Sequence, residues 1–244
     1  MDALLNNEAA RARMALIWKR RAVGEHEATA RFAAYAERLR AVGAPQGFQD
    51  QAFESSEQEL RHRELCLDMA HRLRSGEIVF QDRDFSRRPP ATPADVLVDM
   101  VALGCVVETI NVAHLSTSLR NITEPELRRA TRKILADEVK HSRLGWAYLT
   151  WARVGGEGDG LAEQVPQMLW EAVTPDIFAD APPHPEQALL RAMGDPPMPA
   201  RRALFVQTVT DVILPGLEAS GISGEPARAW LANPTWPTAA SSVG

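Results

Sequence analysis

Apolar residues recur every three to four positions along four long stretches in the first part of the chain, a pattern that predicts four amphipathic helices. We expect these helices at about residues 8–42, 48–74, 92–121 and 123–154. The connection at residues 75–93 is long for a tight turn, and it is expected to cross from one end of a helix bundle to the other. The pattern therefore predicts an all-α fold, a four-helix up-down bundle with one long crossover.

Turn and cap residues mark the ends of these helices. Gly43 followed by Pro45 is typical of a helix C-terminus. Thr92 and Thr123 each precede a proline and an acidic residue, so both are expected to be N-cap residues, of the third and fourth helices.

The pattern weakens in the remaining residues. A linker at residues 155–160 is followed by a short helix at about 161–173, a proline-rich irregular stretch at 174–199 and an amphipathic helix at about 200–220. Pro215 is expected to interrupt that last helix, and the tail from Asn233 is expected to be disordered. We therefore expect residues 1–154 to form the bundle, and residues 155–244 to form a C-terminal helical extension that belongs to the same domain or packs on it.

A carboxylate and an imidazole interrupt the apolar stripe of the fourth helix. Glu138 and His141 lie three residues apart, on the same face as Ile134 and Leu144. A buried charge is costly unless it is paired or binds a metal ion. The pair therefore indicates a metal site.

The second helix repeats this arrangement with Glu59 and His62. Its stripe consists of Ser55, Glu59, His62, Cys66, Met69 and Leu73. Asp68 and His71 have the same spacing, but Asp68 follows Glu59 by nine residues, which at about 100° per residue is half a turn away. This second pair is expected on the solvated face.

The first and third helices each place one glutamate on the apolar stripe. Glu25 lies on the stripe of the first helix, whereas Glu27 falls with Arg31 on an arginine-rich face that is expected to be solvated. Glu108 is the only charged residue on the stripe of the third helix, where Gly104 is small enough for close helix contact. The chain thus runs Glu, Glu-x-x-His, Glu, Glu-x-x-His, with separations of 34 (59 − 25) and 30 (138 − 108) residues.

These residues predict a dinuclear metal centre. The expected ligands are Glu25, Glu59, His62, Glu108, Glu138 and His141. The arrangement matches that of di-iron and di-manganese carboxylate bundles. Four carboxylates neutralise two divalent ions, and oxygen and imidazole ligands suit two iron ions, with manganese as the alternative. Asp137 is the best candidate to bind the second nitrogen of an imidazole. The two cysteines, Cys66 and Cys105, form no Cys-x-x-Cys motif and are expected to fill the core.

Four segments give the chain a resemblance to a known superfamily. They are residues 24–32 (GEHEATARF), 59–66 (ELRHRELC), 104–109 (GCVVET) and 137–141 (DEVKH). These segments resemble a bacterial group of ferritin-like proteins whose members are mostly of undefined function, and the similarity covers about residues 15–153. The resemblance implies a ferritin-like bundle with a crossover and a dinuclear centre with the six ligands named.

The chain also departs from that superfamily at several positions. Gln58 stands where many members have Asp before the first Glu-x-x-His, which leaves the partner of one imidazole open. Ile134 stands where the p-aminobenzoate N-oxygenase branch carries an extra histidine, so that activity is not assigned. No Cys-x-x-Cys module follows the bundle, which argues against a rubrerythrin, and residues 155–244 match no ferritin feature.

Composition and charge restrict the class of protein. A hydrophobic fraction of 45% and a charged fraction of 24% are ordinary for a soluble globular protein, and a net charge of −5 argues against nucleic acid and acidic membrane surfaces. The N-terminus lacks the apolar core of a signal peptide, and no apolar run is expected to reach the ~20 residues that span a membrane. We therefore expect a cytoplasmic protein, with a homodimer as the base expectation.

The function predicted from these residues is that of an O2-activating non-haem di-iron oxidase or oxygenase. Its small organic substrate would lie in the bundle core or under the C-terminal segment, with O2 as co-substrate. Because no flavin or nicotinamide motif is visible, electrons are expected from an external reductase. Three alternatives stay open: a ferroxidase or other iron-handling protein, a manganese catalase-like peroxide-consuming enzyme, and a metal-free binding or scaffold protein.

Overall fold

Four long helices form the body of the protein. The computed structural model describes residues 2–74, 76–81, 92–154, 160–173, 175–178 and 183–234. All regular elements in these ranges are helical, and the bundle consists of α1 (Glu8–Ala41), α2 (Gln46–Arg72), α3 (Pro93–Asn121) and α4 (Pro125–Val154), with a helical turn, Asp2–Leu5, before α1. The predicted all-α four-helix bundle is confirmed.

The N-cap residue predicted from the sequence is found at α3 but not at α4. Thr92 and Asp95 cap α3 through reciprocal side-chain to backbone hydrogen bonds. The predicted Thr123 cap of α4 is wrong: its hydroxyl donates instead to the carbonyl of Ala192, at 3.3 Å. Because α4 begins at Pro125, it is the carboxylate of Glu124 that accepts a bond from a first-turn N–H, at 3.5 Å.

The long crossover follows from where the helices begin and end. Connections of four and three residues make antiparallel hairpins of α1 with α2 and of α3 with α4. At one end of the bundle, Arg72 in the last turn of α2 pairs with Glu126 at the start of α4, at 3.2 Å. At the other end, Arg38 near the end of α1 pairs with Asp99 near the start of α3. The chain must therefore cross the length of the bundle between α2 and α3; residues 82–91 of this connection lie outside the described ranges.

Two clusters of buried apolar side chains fill the two ends of the bundle, and the polar residues lie between them. In α1, buried residues up to Ala22 belong to one cluster and those from Phe32 onward to the other, with Glu25 between. In α4 the change of cluster occurs between Ile134 and Leu144. The same change occurs across the glutamates of α2 and α3. The polar residues thus form a layer across the middle of the bundle.

The C-terminal part of the chain is also helical and shares these apolar clusters. It contains α5 (Leu161–Glu171), a 3-10 turn (Pro175–Phe178), α6 (Gln187–Ala192), α7 (Met198–Thr208 with its continuations Val209–Ile213 and Leu214–Ala219) and α8 (Glu225–Ala232). α5, α7 and α8 add buried side chains to one cluster, and α6 adds Leu190 to the other. The 3-10 turn and α6 fall in the stretch expected to be irregular, so that expectation is wrong there. The predicted disorder of the tail concerns residues 235–244, which lie outside the described ranges.

The predicted interruption of α7 at Pro215 takes the form of a π-helical segment, Val209–Ile213, just before it. Proline cannot donate to the carbonyl four residues earlier, and its ring crowds that carbonyl. The wider turn accommodates both effects, so α7 continues to Ala219.

Within the described ranges, one helix is long and apolar enough to cross a membrane by length and composition, contrary to the expectation from the sequence. This helix is α3, and 56% of its most apolar window is buried inside the protein. A core helix of a soluble protein can have the same length and apolar composition. α3 supplies buried side chains to both apolar clusters.

Candidate metal centre

The six predicted ligands come together in the middle of the bundle. α1 and α3 each supply one glutamate, and α2 and α4 each supply a glutamate and a histidine one turn apart. Glu25 is 8% exposed, and each of the other five predicted ligands is 2% exposed or less. Such complete burial of four carboxylates requires compensating positive charge.

The six residues form two groups that share two members. One group contains Glu25 and His62, the other contains Glu108 and His141, and Glu59 and Glu138 belong to both. Within each group, one ligand atom from each residue lies within 4.8 Å of the others. The cluster therefore fits a dinuclear metal site in which Glu59 and Glu138 would be shared by the two ions.

Both imidazoles turn the same nitrogen toward the carboxylates. Nδ1 of His62 lies 3.1 Å from Oε2 of Glu59 and 3.8 Å from Oε1 of Glu138. Nδ1 of His141 lies 3.0 Å from Oε1 of Glu59 and 3.3 Å from Oε2 of Glu138. In both residues Nδ1 is thus the nitrogen placed to bind a metal ion.

The outer nitrogens are held by residues of the opposite hairpin. Nε2 of His62 lies 3.3 Å from Oδ2 of Asp137, the residue expected to bind an imidazole. Nε2 of His141 lies 2.8 Å from the amide oxygen of Gln58, whose amide nitrogen donates to Glu54 at 2.7 Å. Gln58 therefore takes the place of the Asp that many members of the similar superfamily have before the first Glu-x-x-His motif. Each residue that precedes one Glu-x-x-His motif holds the histidine of the other.

A π-helical segment and a close helix crossing position the α3 side of the centre. Residues Val101–Val107 are π-helical, and Glu108 follows immediately, its N–H bonded to the carbonyl of Leu103. A Cβ atom added to Gly104 would lie 2.5 Å from the Cα of Gly145, so only glycines fit this crossing of α3 and α4. The close contact predicted at Gly104 is confirmed.

Burial and the charges of neighbouring residues shift the pKa values of the predicted ligands. Burial, followed by the charges of neighbouring glutamates, raises the pKa of Glu25 and of Glu108 well above the usual value. Burial acts in the same direction on Glu59, but hydrogen bonds from both histidines outweigh it and lower the pKa to about 2. Burial opposes protonation of His141, yet its bonds to Glu138 and Glu59 raise its pKa to about 9. Protons on these groups would balance part of the charge of the buried carboxylates.

The residues set aside from the sequence lie away from the cluster. Asp68 and His71 are exposed, and Asp68 pairs with Arg72 at 2.9 Å. Glu27 is in neither ligand group, but it is half-buried and lines a cavity instead of facing open solvent.

Two further neighbours of the ligands were not singled out from the sequence. The amide of Asn111 donates to Oε2 of Glu108 at 3.2 Å, and the ring of Phe32 lies 5.0 Å from that of His141. Asn111 follows Glu108 by three residues. This spacing places both side chains on one helical face, and it could have identified Asn111 from the sequence.

A cavity of about 480 Å³ reaches the carboxylates. It lies between α1, α3 and the C-terminal helices, and its wall includes all four glutamates of the centre. Its apolar lining includes Leu103, Val107, Ile110, Ile177, Leu204 and Phe205. Its polar lining includes Arg13, Arg20, Arg21, Arg31, Arg201 and His114. The arginine-rich face of α1, expected to be solvated, therefore lines a cavity, because the C-terminal helices cover it.

Comparisons with known proteins agree with this architecture. No family model and no curated protein matches the chain. Six solved chains do match. One, described as protein 19 with aldehyde deformylating oxidase activity, from Synechococcus, has a TM-score of 0.57 and 18% identity, covering 93% of this chain and 99% of that one. The chain has a ferritin-like fold. At this identity the likeness concerns the ferritin-like fold alone, and it extends over the C-terminal helices as well as the bundle.

The donor set fits two divalent metal ions within this ferritin-like fold. Four carboxylates match the charge of two such ions, and both imidazoles present Nδ1 inward with Nε2 already bonded outward. Oxygen and nitrogen donors without thiolate favour iron or manganese. Cys66 and Cys105 are both buried, and Sγ of Cys66 lies 4.0 Å from Oε1 of Glu25, outside both ligand groups.

Removing the outer partner of His141 tests its role in orienting the imidazole. We expect Gln58→Leu to weaken metal affinity about 10- to 100-fold, because Nε2 of His141 loses its acceptor. Metal titration followed by mass spectrometry of the bound ions measures the change. Gln51→Leu, at an exposed position on the same helix, is the matched control and should bind like the wild type. Equal affinity of the two variants would remove Gln58 from the centre.

Proposed function

We propose that this protein is an O2-activating non-haem di-iron oxidase or oxygenase that acts on a small organic substrate. The observation that carries the proposal is the pair of Glu/His groups sharing Glu59 and Glu138, placed in the wall of a substrate-sized cavity. The aldehyde deformylating oxidase activity named for the structural neighbour supports the oxidase class. We include in the proposal a cytoplasmic location, an external electron donor and O2 as co-substrate.

The chain's own residues would hold the metal ions and shape the reaction space. Glu25 and His62 would hold one ion and Glu108 and His141 the other, with Glu59 and Glu138 shared. When bound, two iron ions supply the activation of O2 that no amino-acid side chain provides. The hydrogen bond from Asn111 to Glu108 fixes one terminal carboxylate beside the cavity. The apolar wall of the cavity limits water around the substrate.

Anaerobic iron loading followed by exposure to O2 tests the proposal. We expect the metal-loaded protein to consume O2 and to change its optical spectrum, and the Glu138→Ala variant to do neither. His71→Ala, a change to the exposed histidine of the same helix as His62, should behave like the wild type. A Glu138→Ala variant that built the same chromophore would show that the site is misassigned.

The alternatives give different results in the same preparation. An assembled shell in size-exclusion chromatography would favour an iron-handling protein. O2 evolution from peroxide after manganese loading would favour a catalase-like enzyme. Metal content at background after loading with either ion would favour a metal-free protein.

The raised pKa values predict that metal binding depends on pH. Burial raises the pKa of Glu25 and of Glu108, and the bonds to Glu138 and Glu59 raise that of His141 to about 9, so protons compete with metal at these residues. Apparent affinity should therefore rise with pH, with proton release detectable by an indicator dye in weakly buffered solution.

The same pKa shifts predict how the stability of the metal-free protein changes with pH. A pKa raised by folding stabilises the fold at low pH, and this contribution is lost as pH rises through the folded value. The thermal midpoint of the metal-free protein should therefore fall between pH 6.5 and 9, and metal should reverse the fall. A constant midpoint and a pH-independent affinity would contradict both expectations.

A further inference from the structure

The polar side of the cavity is dominated by arginine. Five arginines contribute to its wall, on α1 and α7, while Glu27 and Glu171 are the acidic side chains there apart from the metal centre. The amide of Gln167 donates to Glu171 at 2.8 Å, and Arg13 pairs with Asp195 at 3.0 Å. Among the side chains of this wall, the arginines therefore outnumber the carboxylates outside the metal centre.

Arg21 precedes Glu25 by four residues, so the two side chains lie on one face of α1. Its guanidinium lies 5.1 Å from the ring centroid of Trp18, and the half-buried side chain forms no ion pair with a described carboxylate. Arg21 is thus a partly buried cation in the wall of the cavity, with hydrogen-bond donors available to a ligand.

Arg201 and His114 complete a polar corner with Arg21. Burial, with smaller contributions from the charges of Arg21 and Arg201, lowers the pKa of His114 to about 3. The three residues come from α1, α3 and α7 and all line the cavity. The imidazole is neutral at pH 7, so its N–H is a donor that does not depend on protonation of the ring.

The rest of the wall suits an apolar body. Leu103 and Val107 lie on the π-helical segment next to Glu108, and Phe205 closes the cavity from α7. A volume of about 480 Å³ is within the range of about 300–1,000 Å³ for small-molecule sites. A molecule with an anionic end at the corner would extend its apolar part along this wall beside the carboxylates.

We propose that the substrate is an organic anion, whose oxyanion head group binds Arg21 and Arg201 beside His114 while its apolar part lies against Leu103, Val107 and Phe205 next to the metal centre. The identification of this ligand as substrate rests on the proposed function, whereas the binding preference does not. The C-terminal helices then have a direct role, because α7 supplies one of the two cations.

Matched eight-carbon probes test the proposal on the full-length protein. Octanoate, octanol and octylamine share one apolar chain and differ in the charge of the head group. We expect calorimetric titration to give an affinity for octanoate at least about tenfold above that for octanol, with octylamine the weakest, both in the iron-loaded protein and after iron removal. Arg21→Gln and Arg201→Gln should each lower octanoate affinity about tenfold and change octanol affinity less than about twofold. Arg132→Gln, which removes the same charge from an exposed position on α4, should change neither.

The outcomes separate this proposal from the di-iron function. Equal binding of octanoate and octanol, binding of no probe, or a preference for octanoate that both arginine variants retain would overturn it. A preference seen only with iron bound and insensitive to Arg21→Gln and Arg201→Gln would place the carboxylate on the metal, and would also overturn it. An arginine-dependent preference for octanoate over octanol in a protein that takes up no metal would support the anion site and contradict the di-iron function.

Discussion

Replacing Glu138 by alanine is expected to abolish binding of both metal ions, whereas replacing Glu25 should abolish binding of only one. The carboxylate of Glu138 belongs to both ligand groups, and that of Glu25 belongs to one. Metal analysis of protein loaded anaerobically should give about two ions per chain for the wild type, about one for Glu25→Ala and close to none for Glu138→Ala. Glu59→Ala should behave like Glu138→Ala, because it is the other shared residue.

The sequence offers its own control for the histidines. His62→Ala removes a buried ligand, and His71→Ala removes a histidine with the same carboxylate spacing on the exposed face of the same helix. Circular dichroism before loading checks that each variant folds. Equal loss of metal in Glu25→Ala and Glu138→Ala would contradict the sharing of carboxylates between the two groups.

Gly104→Ala is expected to have the largest effect on stability among the substitutions considered. The added Cβ would lie 2.5 Å from the Cα and 2.9 Å from the N of Gly145, so two helix backbones must move apart. Overpacking of this kind costs up to about 3 kcal/mol, which for a chain of this size lowers Tm by roughly 6–12 °C. Because Glu108 and His141 lie about one turn from the crossing, we also expect weaker metal binding. Thermal melts and metal titration measure the two effects.

Gly47→Ala is the matched control for this substitution. Gly47 lies in α2, and a Cβ there would meet no atom within 4 Å. Alanine favours helix over glycine by up to about 1 kcal/mol, so Tm should stay the same or rise. Similar melting of the two alanine variants would show that the crossing of α3 and α4 relaxes without cost.

The bundle was predictable because its signals are local and periodic. Every residue of the α2 stripe, from Ser55 to Leu73, is buried as the helical period requires. The choice of Glu25 over Glu27 used the same period. The local period did not predict the π-helical segment Val101–Val107 of α3. This segment inserts a wider turn, so the residues after it are rotated relative to an uninterrupted α-helix.

The cavity was not predictable from local pattern, because it depends on contacts between distant parts of the chain. Arg21 and Arg31 have the sequence signature of a solvated helix face, and only the C-terminal helices turn that face into a wall. His114 belongs to no polar pattern in the sequence. Arg21 and Arg201, whose charges help to lower its pKa, are far from it along the chain. Gln58 was marked as an unusual residue, but its bond to His141 requires the two hairpins to dock.

Asp137 accepts a hydrogen bond from His62 and Gln58 accepts one from His141, so the two hairpins cannot be separated without loss of both bonds. The sequence repeats one hairpin twice, which suggests two self-sufficient modules. Yet neither hairpin orients its own imidazole, since each relies on the side chain that precedes the other's motif. An isolated α1–α2 or α3–α4 fragment would contain one Glu and one Glu-x-x-His motif, but it would lack the shared carboxylate of the other hairpin and the side chain that supports its histidine. The functional unit is therefore the assembled pair, and substitutions at Gln58 and Asp137 report on docking of the halves as much as on metal.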